Sequence, residues 1–394
     1  MEIEGISLLV LSSVLTVYVA ILLVFKTLPL QPCLDTKIFT DRPSKRVPFF
    51  DFAKGIAITA VILIHVAFLL AYFSDDLPLS FLSWNEGINR AMRFAIPVFF
   101  ISSGALLFLQ NFKIETLKGF YLPKIKRLVI PYVAFSFFAT FATSKGSFIL
   151  SDYITTALKD LLTGGALVPY WFIPVLFQLY LLYPLLWYLL VVKRINPLTM
   201  LAGSFAFSLS SYFLFSPYWL GWQEYLGDLT FFGAYLFFFV LGMVLKPFFF
   251  AKTEEITLWL ERTKFLYFGA TIIFLYFFIG MADPLSHFYN VRLIYGPVVM
   301  IIIFYLYPFL RGGIRTLIEG IGRQSLPIYL LHFILLTLLI PLVQILILYD
   351  TEPGLIFVIV FIVNFFMTYG FISIARKMFE ATKIATSNKN QRPL

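Results

Sequence analysis

Two ionisable side chains, Lys54 and His65, stand eleven residues apart in one apolar segment of the chain. At ~100° and ~1.5 Å per residue of α-helix, eleven steps return to nearly the same face, roughly 16 Å further along. Ionisable groups at membrane depth are costly and usually functional. A neutral imidazole can take a proton from a hydroxyl group and return it to a leaving group. The pair therefore indicates acid–base chemistry inside a membrane, with a cation nearer the surface.

Further cations begin the apolar segments that follow. Lys124 and Arg127 open one segment, and Arg93, with Arg90 one turn before it, lies inside another at a depth similar to that of His65. A cation cluster near the inner surface suits an anionic, phosphate-bearing ligand. Acyl-coenzyme A has a matching layout, because its phosphates would stay among the cations while its slim arm carries the thioester inward.

Each of these cations also has a purely structural interpretation. Lys54 could extend to the lipid headgroups and pair with Asp51 one turn away. Arg90 and Arg93 could form ion pairs with Glu86. Lys124 and Arg127 could simply mark the cytoplasmic end of a helix, and His65 could bridge two helices by a hydrogen bond. Depth and spacing favour a functional site without removing these alternatives.

The other reactive side chains are few. The chain has three histidines and one cysteine, so we expect no metal site and no intrachain disulfide. His332 lies about mid-depth in an apolar segment. It could line the same cavity as His65 or have a structural role, and the sequence favours neither. His287, beside Asp283, is expected at the surface. No G-x-S-x-G, H-E-x-x-H or phosphate-binding Gly-rich motif occurs.

Composition predicts an all-α integral membrane protein. Sixty per cent of the residues are hydrophobic, 13% are charged and the mean hydropathy is +0.89. The net charge of +9 is spread between apolar runs, which indicates membrane topology and not a nucleic-acid partner. Apolar stretches long enough to span predict about eleven transmembrane helices: residues 6–25, 49–73, 87–109, 125–142, 170–192, 198–215, 229–245, 265–281, 292–310, 324–348 and 354–378.

Loop charges predict how these helices are oriented. Basic and acidic loops alternate along the chain, so the positive-inside rule places the N-terminus outside and the C-terminus in the cytoplasm of a cell (plasma or inner) membrane. Residues 6–25 are expected to remain as a helix, because two acidic residues precede them where a signal peptide would be basic. The longest outer connection should hold a short amphipathic segment at residues 151–162. A polar tail at residues 379–394 ends the chain.

Five motifs resemble those of acyltransferase family 3, the integral-membrane acyltransferases of surface polysaccharides and lipid-linked sugars. In chain order they are DFAKGIAI from Asp51 with His65 following, RFAIPVFFISSG from Arg93, KIKRLVIP from Lys124, WFIPVLFQLY from Trp171, and GRQSLPIYLLH from Gly322 to His332. No single motif is specific, but five in the right order are. The resemblance implies a ten-helix core at residues 46–378, with residues 1–45 forming an extra N-terminal helix and a cytoplasmic linker.

The resemblance also implies a reaction. It is the transfer of an acyl group, usually acetyl, from cytosolic acyl-CoA to a hydroxyl of a cell-surface or lipid-linked carbohydrate. His65 would be the catalytic base or an acyl carrier, which the sequence does not decide, and Arg93 would orient the thioester or the acceptor. The coenzyme would be held by Lys54, Lys124 and Arg127, and the supporting residues would be Asp51, Arg90, Tyr329 and His332.

The chain departs from the family pattern at the coenzyme-binding cations. Lys124 stands where the family has arginine, which keeps the charge but loses the bidentate geometry, and Lys54 fills a position that is more often arginine. No hydrolase-like domain follows the core. The rival hypothesis is a non-enzymatic exporter or flippase of a polysaccharide or lipid-linked sugar, and an amine acceptor is a third. The sequence does not indicate the oligomeric state.

Overall fold

The computed structural model describes residues 47–110, 112, 117–143, 150–214, 231–250, 269, 292–310 and 312–389. The predicted span at 6–25, nearly all of the predicted span at 265–281, and His287 lie outside the described residues. Within them the chain is helical and has no strand. The predicted all-α architecture is thus confirmed.

Fourteen α-helices are described, joined in places by short 3₁₀ or π-helical turns. They are α1 Pro48–Ala71, α2 Leu79–Met92, α3 Ala95–Phe108, α4 Leu117–Lys124, α5 Ile130–Thr143, α6 Leu150–Thr163, α7 Phe172–Trp187, α8 Pro197–Leu214, α9 Leu236–Phe250, α10 Arg292–Phe309, α11 Gly313–Arg323, α12 Ser325–Thr337, α13 Ile340–Leu348 and α14 Pro353–Lys389.

Several of these helices can cross a membrane. Five are long and apolar enough: Pro48–Ala71, Leu79–Phe108, Leu117–Ala142, Val168–Val192 and Pro353–Met378. A sixth span results if α12 and α13, which meet at 45°, are counted together, and two shorter apolar helices cover Phe232–Leu245 and Leu293–Phe304. The chain is therefore a multi-pass membrane protein. The described residues supply five or six spans, and the total of eleven stays a prediction.

Two predicted spans are interrupted, and a proline explains each interruption. The span predicted at 87–109 begins earlier, at Leu79, and breaks between α2 and α3 at Arg93, four residues before Pro97. The span predicted at 324–348 breaks after Thr337, four residues before Pro341. A proline has no amide hydrogen to donate to the carbonyl four residues earlier, so the helix kinks there. Arg93 consequently lies at a break and not within a continuous helix.

Glycines allow the central helices to approach closely. A Cβ atom added at Gly104 of α3 would clash with the carbonyl oxygen of Phe239 on α9. One at Gly322 of α11 would clash with the carbonyl oxygen of Asp51 on α1. Membrane helices pack by such small-residue contacts because lipid supplies no hydrophobic drive for their association. The contacts fix α1, which carries Asp51, Lys54 and His65, and α3, which forms a wall of the cavity described below.

Buried tyrosines tie distant helices together by hydrogen bonds to backbone carbonyls. Tyr170 Oη donates to Leu330 O at 2.7 Å, and Tyr183 Oη donates to Leu107 O at 3.0 Å. The first joins the start of the α7 span to α12, and the second joins α7 to the end of α3. The same two helices, α3 and α12, supply walls of the cavity described below.

The predicted amphipathic segment at 151–162 is confirmed as α6. Its residues Leu150, Ile154, Leu158 and Leu162 expose apolar side chains at a spacing of four, which places them on one face. Tyr132 Oη donates to Leu161 O at 2.8 Å and holds α6 against α5. At the other end of the chain, α14 continues through polar residues of the predicted tail as far as Lys389.

Candidate active site

A cavity of about 710 Å³ lies among α1, α3, α4, α7 and α12. Among the described residues, its lining includes three cations, Lys54, Lys124 and Arg127, and no carboxylate. The rest is mainly apolar and aromatic, including buried Phe172 and Tyr329. The cavity therefore combines positive charge with apolar walls. Across the described residues, no three His, Cys, Asp or Glu side chains approach one another as metal ligands would.

Lys124 and Arg127 are positioned by a widened helical turn between α4 and α5. Residues Ile125–Val129 form a π-helical turn, and Pro131 follows, which cannot donate to the carbonyl of Arg127. Lys124 Nζ donates to Gln110 Oε1 at 3.1 Å and lies 3.6 Å from the ring centroid of Phe120. Arg127 is exposed. No carboxylate among the described residues lies within ion-pair distance of either cation.

Lys54 is different because it has a carboxylate partner. Its Nζ lies 3.2 Å from Asp51 Oδ1, one turn earlier on α1. The Asp51 side chain is 6% exposed and that of Lys54 is 21% exposed. The predicted structural pairing is therefore present, and Lys54 still lines the cavity. The pair contributes less net positive charge there than Lys124 or Arg127 does.

His65 lies beside His332, which sequence spacing could not show. The centroids of the two imidazole rings are 5.2 Å apart, and both side chains are buried. His332 Nδ1 is 3.1 Å from Ile328 O and 2.8 Å from Tyr329 O. Carbonyl oxygens only accept, so Nδ1 carries the proton and His332 Nε2 keeps a lone pair.

Two nitrogens of this histidine pair lack a partner. His332 Nε2 and His65 Nδ1 are both buried, and neither finds a hydrogen-bond partner among the described residues. A buried polar atom left unpaired costs ~1–3 kcal/mol. Sites that leave such atoms unpaired usually receive a water molecule or a polar substrate group there. The helix-bridging hydrogen bond considered for His65 is not observed within the described part of the chain.

The histidine pair and the cavity meet at one side chain. Neither histidine lines the cavity, but Tyr329 does. The Tyr329 ring centroid lies 6.0 Å from that of His332 and 5.5 Å from that of Phe172. Tyr329 therefore separates the positively charged cavity from the two imidazoles.

Arg90 and Arg93 lie outside this cavity lining and are bound to acceptors on their own helix. Arg90 Nε forms an ion pair with Glu86 Oε1 at 2.8 Å. Arg93 donates from Nε and Nη2 to Asn89 Oδ1 at 2.9 and 2.8 Å, and its Nη2 is 3.9 Å from Glu86. The ion pairs proposed as the structural alternative are thus present. A role for Arg93 toward thioester or acceptor stays a prediction.

Sequence reasoning missed several residues of the cavity. Gln110, which receives the Lys124 hydrogen bond, was not singled out, although it is a rare polar residue at the end of an apolar segment. Ser103 and Tyr180 also line the cavity. Ser103 lies within the quoted motif from Arg93, so the motif gave a signal for it. Phe172 likewise lies within the quoted motif from Trp171, but its residue type did not single it out, because aromatic residues occur throughout this chain.

The family of this chain follows from its match to a family model. The model, described as an acyltransferase domain, matches residues 47–373. The chain belongs to acyltransferase family 3. Searches of curated proteins and of solved structures gave no match. The cavity cations and both buried histidines of this membrane acyltransferase all lie inside the matched range, and the match begins at the residue before α1.

Proposed function

We propose that this membrane acyltransferase moves an acyl group, with acetyl as the first candidate, from cytosolic acyl-CoA to a hydroxyl of a cell-surface or lipid-linked carbohydrate. One observation carries the proposal. In a member of an acyltransferase family, a cavity whose described lining has three cations and no carboxylate lies one aromatic ring away from a pair of buried imidazoles.

The donor would bind with its phosphates at Lys124 and Arg127. Both cations lie without a carboxylate partner among the described residues, and charge-assisted hydrogen bonds to phosphate are strong. Arg127 offers a planar fork, whereas Lys124 offers a point charge. Lys54 would contribute a third, partly neutralised contact. The pantetheine arm would follow the apolar walls toward Tyr329.

Transfer would take place at the imidazoles. The His65 ring would accept the proton of the acceptor hydroxyl while that oxygen attacks the thioester carbonyl carbon. Collapse of the tetrahedral intermediate breaks the carbon–sulfur bond, and the imidazolium returns the proton to the departing coenzyme thiolate. If His65 is instead the acyl carrier, its ring attacks the thioester and takes the acyl group, and the acceptor hydroxyl then takes the acyl group from the ring. His332 Nε2 also keeps a lone pair, and it would accept a hydrogen bond from a further hydroxyl of the carbohydrate, because the attacking hydroxyl gives its only proton to His65.

The proposed orientation puts the donor cavity on the cytoplasmic side. Lys54 lies in the second turn of α1, while the exposed acidic residues Asp75 and Asp76 follow the other end of this helix. Lys193 follows the α7 span beyond Tyr183, which is bound to the end of α3 near Gln110. Basic residues thus gather at the cavity end of these helices, which the positive-inside rule assigns to the cytoplasm.

Sided membrane vesicles test donor and orientation together. Acyl-CoA does not cross membranes, so radiolabelled acetyl-CoA added outside should label carbohydrate in inside-out vesicles and not in sealed right-side-out vesicles. Vesicles from cells that lack the protein are the control, and detergent should abolish the difference.

Two results would contradict the proposal. Equal labelling of both sealed preparations would place the donor on the wrong side. Transport of unmodified carbohydrate across the membrane, with no requirement for acyl-CoA, would favour the exporter hypothesis.

A further inference from the structure

The residues that line the donor cavity range from an exposed cation to buried aromatic rings. Arg127 is exposed at one end of this progression, whereas Tyr329 is only 4% exposed and Phe172 only 6%. All three line the same cavity. A ligand that keeps its phosphates at the cations would therefore point its other end toward Tyr329 and Phe172.

Tyr329 is the side chain that this end would meet. Its ring packs against Phe172, which also lines the cavity, with centroids 5.5 Å apart, and against His332, which does not, with centroids 6.0 Å apart. His332 in turn contacts His65. The order of contacts is thus cavity, Tyr329, His332 and His65.

We propose that Tyr329 determines the length of the acyl group that this enzyme transfers, by forming the end wall of the donor cavity. The inference rests on the proposed function, because it assumes that an acyl thioester occupies the cavity. A two-carbon group would end against the ring, with its carbonyl carbon beside the imidazoles. Each added methylene would have to occupy the space of the ring, so longer acyl groups are disfavoured.

The contacts around Tyr329 hold this part of α12 in a fixed position. Residues 328–331 of α12 are buried, and Leu330 O accepts a hydrogen bond from Tyr170 at 2.7 Å. The backbone carbonyl of Tyr329 accepts the Nδ1 proton of His332 at 2.8 Å. These contacts hold the helix in place, and an end wall of fixed position is what length selection needs.

Three variants separate the size of the ring from its hydroxyl. Tyr329→Ala removes the wall, Tyr329→Leu shortens it, and Tyr329→Phe keeps its size and removes only the hydroxyl group. Phe333→Ala is the matched control, because Phe333 lies one turn further along α12, contacts His65 and does not line the cavity.

The measurement is a ratio taken within each variant. The purified protein in lipid nanodiscs is given acetyl-, butyryl- and hexanoyl-CoA with one carbohydrate acceptor, and kcat/KM is compared among the donors. Loss of folded protein cancels from such a ratio. One methylene in a pocket typically changes kcat/KM by roughly 10–200-fold. We expect Tyr329→Ala to raise the butyryl-to-acetyl ratio by about tenfold or more, with Tyr329→Leu between it and wild type.

Each outcome either supports or overturns the inference about Tyr329. Tyr329→Phe and Phe333→Ala should leave the ratio unchanged. An unchanged ratio in both Tyr329→Ala and Tyr329→Leu, with wild type active, overturns this inference alone. The same holds if Phe333→Ala shifts the ratio as far as Tyr329→Ala does. Wild-type protein that uses no acyl-CoA at all overturns the proposed function, and this inference with it.

Discussion

At the scale of single residues, the site divides into groups that the sequence revealed and groups that only the fold brings together. Lys54, Lys124 and Arg127 were predicted from charge and position alone, and all three line one cavity. His65 and His332 are far apart in the chain, so no spacing rule could predict that their rings lie 5.2 Å apart. The sequence likewise could not show that Tyr329 separates these imidazoles from the cations.

The cations give a residue-scale prediction with a matched pair of variants. Lys124→Gln should raise the KM for acyl-CoA by roughly tenfold, because a charge-assisted hydrogen bond contributes ~1.5–3 kcal/mol. Lys126→Gln is the control: it removes the same charge two residues away, from an exposed side chain that does not line the cavity. Its KM should change by no more than about twofold, as for other exposed charges.

The measurement is the dependence of initial rate on acyl-CoA concentration for the two variants and wild type. Equal effects of the two substitutions would show that general surface charge, and not a specific contact of Lys124, attracts the donor. No effect of Lys124→Gln would remove this residue from the donor site.

At the scale of helices, the positions of apolar segments were predictable and their interruptions were not. Hydropathy averages over a window and therefore joins α2 with α3, and α12 with α13. Pro97 and Pro341 each interrupt the hydrogen-bond ladder four residues earlier, at Arg93 and Thr337. Other prolines lie inside helices without a comparable break, such as Pro184 in α7, because neighbouring groups can satisfy the freed carbonyl. A proline alone therefore does not tell where a span will bend.

The close contact of α3 with α9 at Gly104 gives a prediction about stability. Gly104→Ala should lower the free energy of unfolding by ~1–3 kcal/mol, because the new Cβ atom meets the Phe239 backbone and overpacks the α3–α9 contact. Gly203→Ala in α8 is the control, since nothing lies within 4 Å of the position that its Cβ would take. There the higher helix propensity of alanine should leave stability unchanged or raise it by up to ~1 kcal/mol. Thermal unfolding in detergent compares the two. Equal melting temperatures for both variants would contradict the close approach of α3 and α9.

At the scale of the whole molecule, composition sufficed for the class of protein and the motifs sufficed for its family. The all-helical, multi-pass architecture follows from 60% hydrophobic residues and 13% charged residues. The family followed from five short motifs in a fixed order, and the family model covers residues 47–373. What the sequence could not supply is the relation between the parts. The cavity arises where α1, α3, α4, α7 and α12 converge, and no pattern within one helix contains that information.

The central claim is that a donor held by cations delivers its acyl group at a separate, buried imidazole. The most direct test compares His65→Ala with wild type, both purified in nanodiscs, by measuring acyl-CoA binding and acyl transfer in parallel. Because His65 does not line the donor cavity, binding should be retained. The rate of transfer should fall by roughly 10²–10⁴-fold, the usual contribution of a general acid–base group. Transfer that stays within a few-fold of wild type while binding is intact would contradict the account.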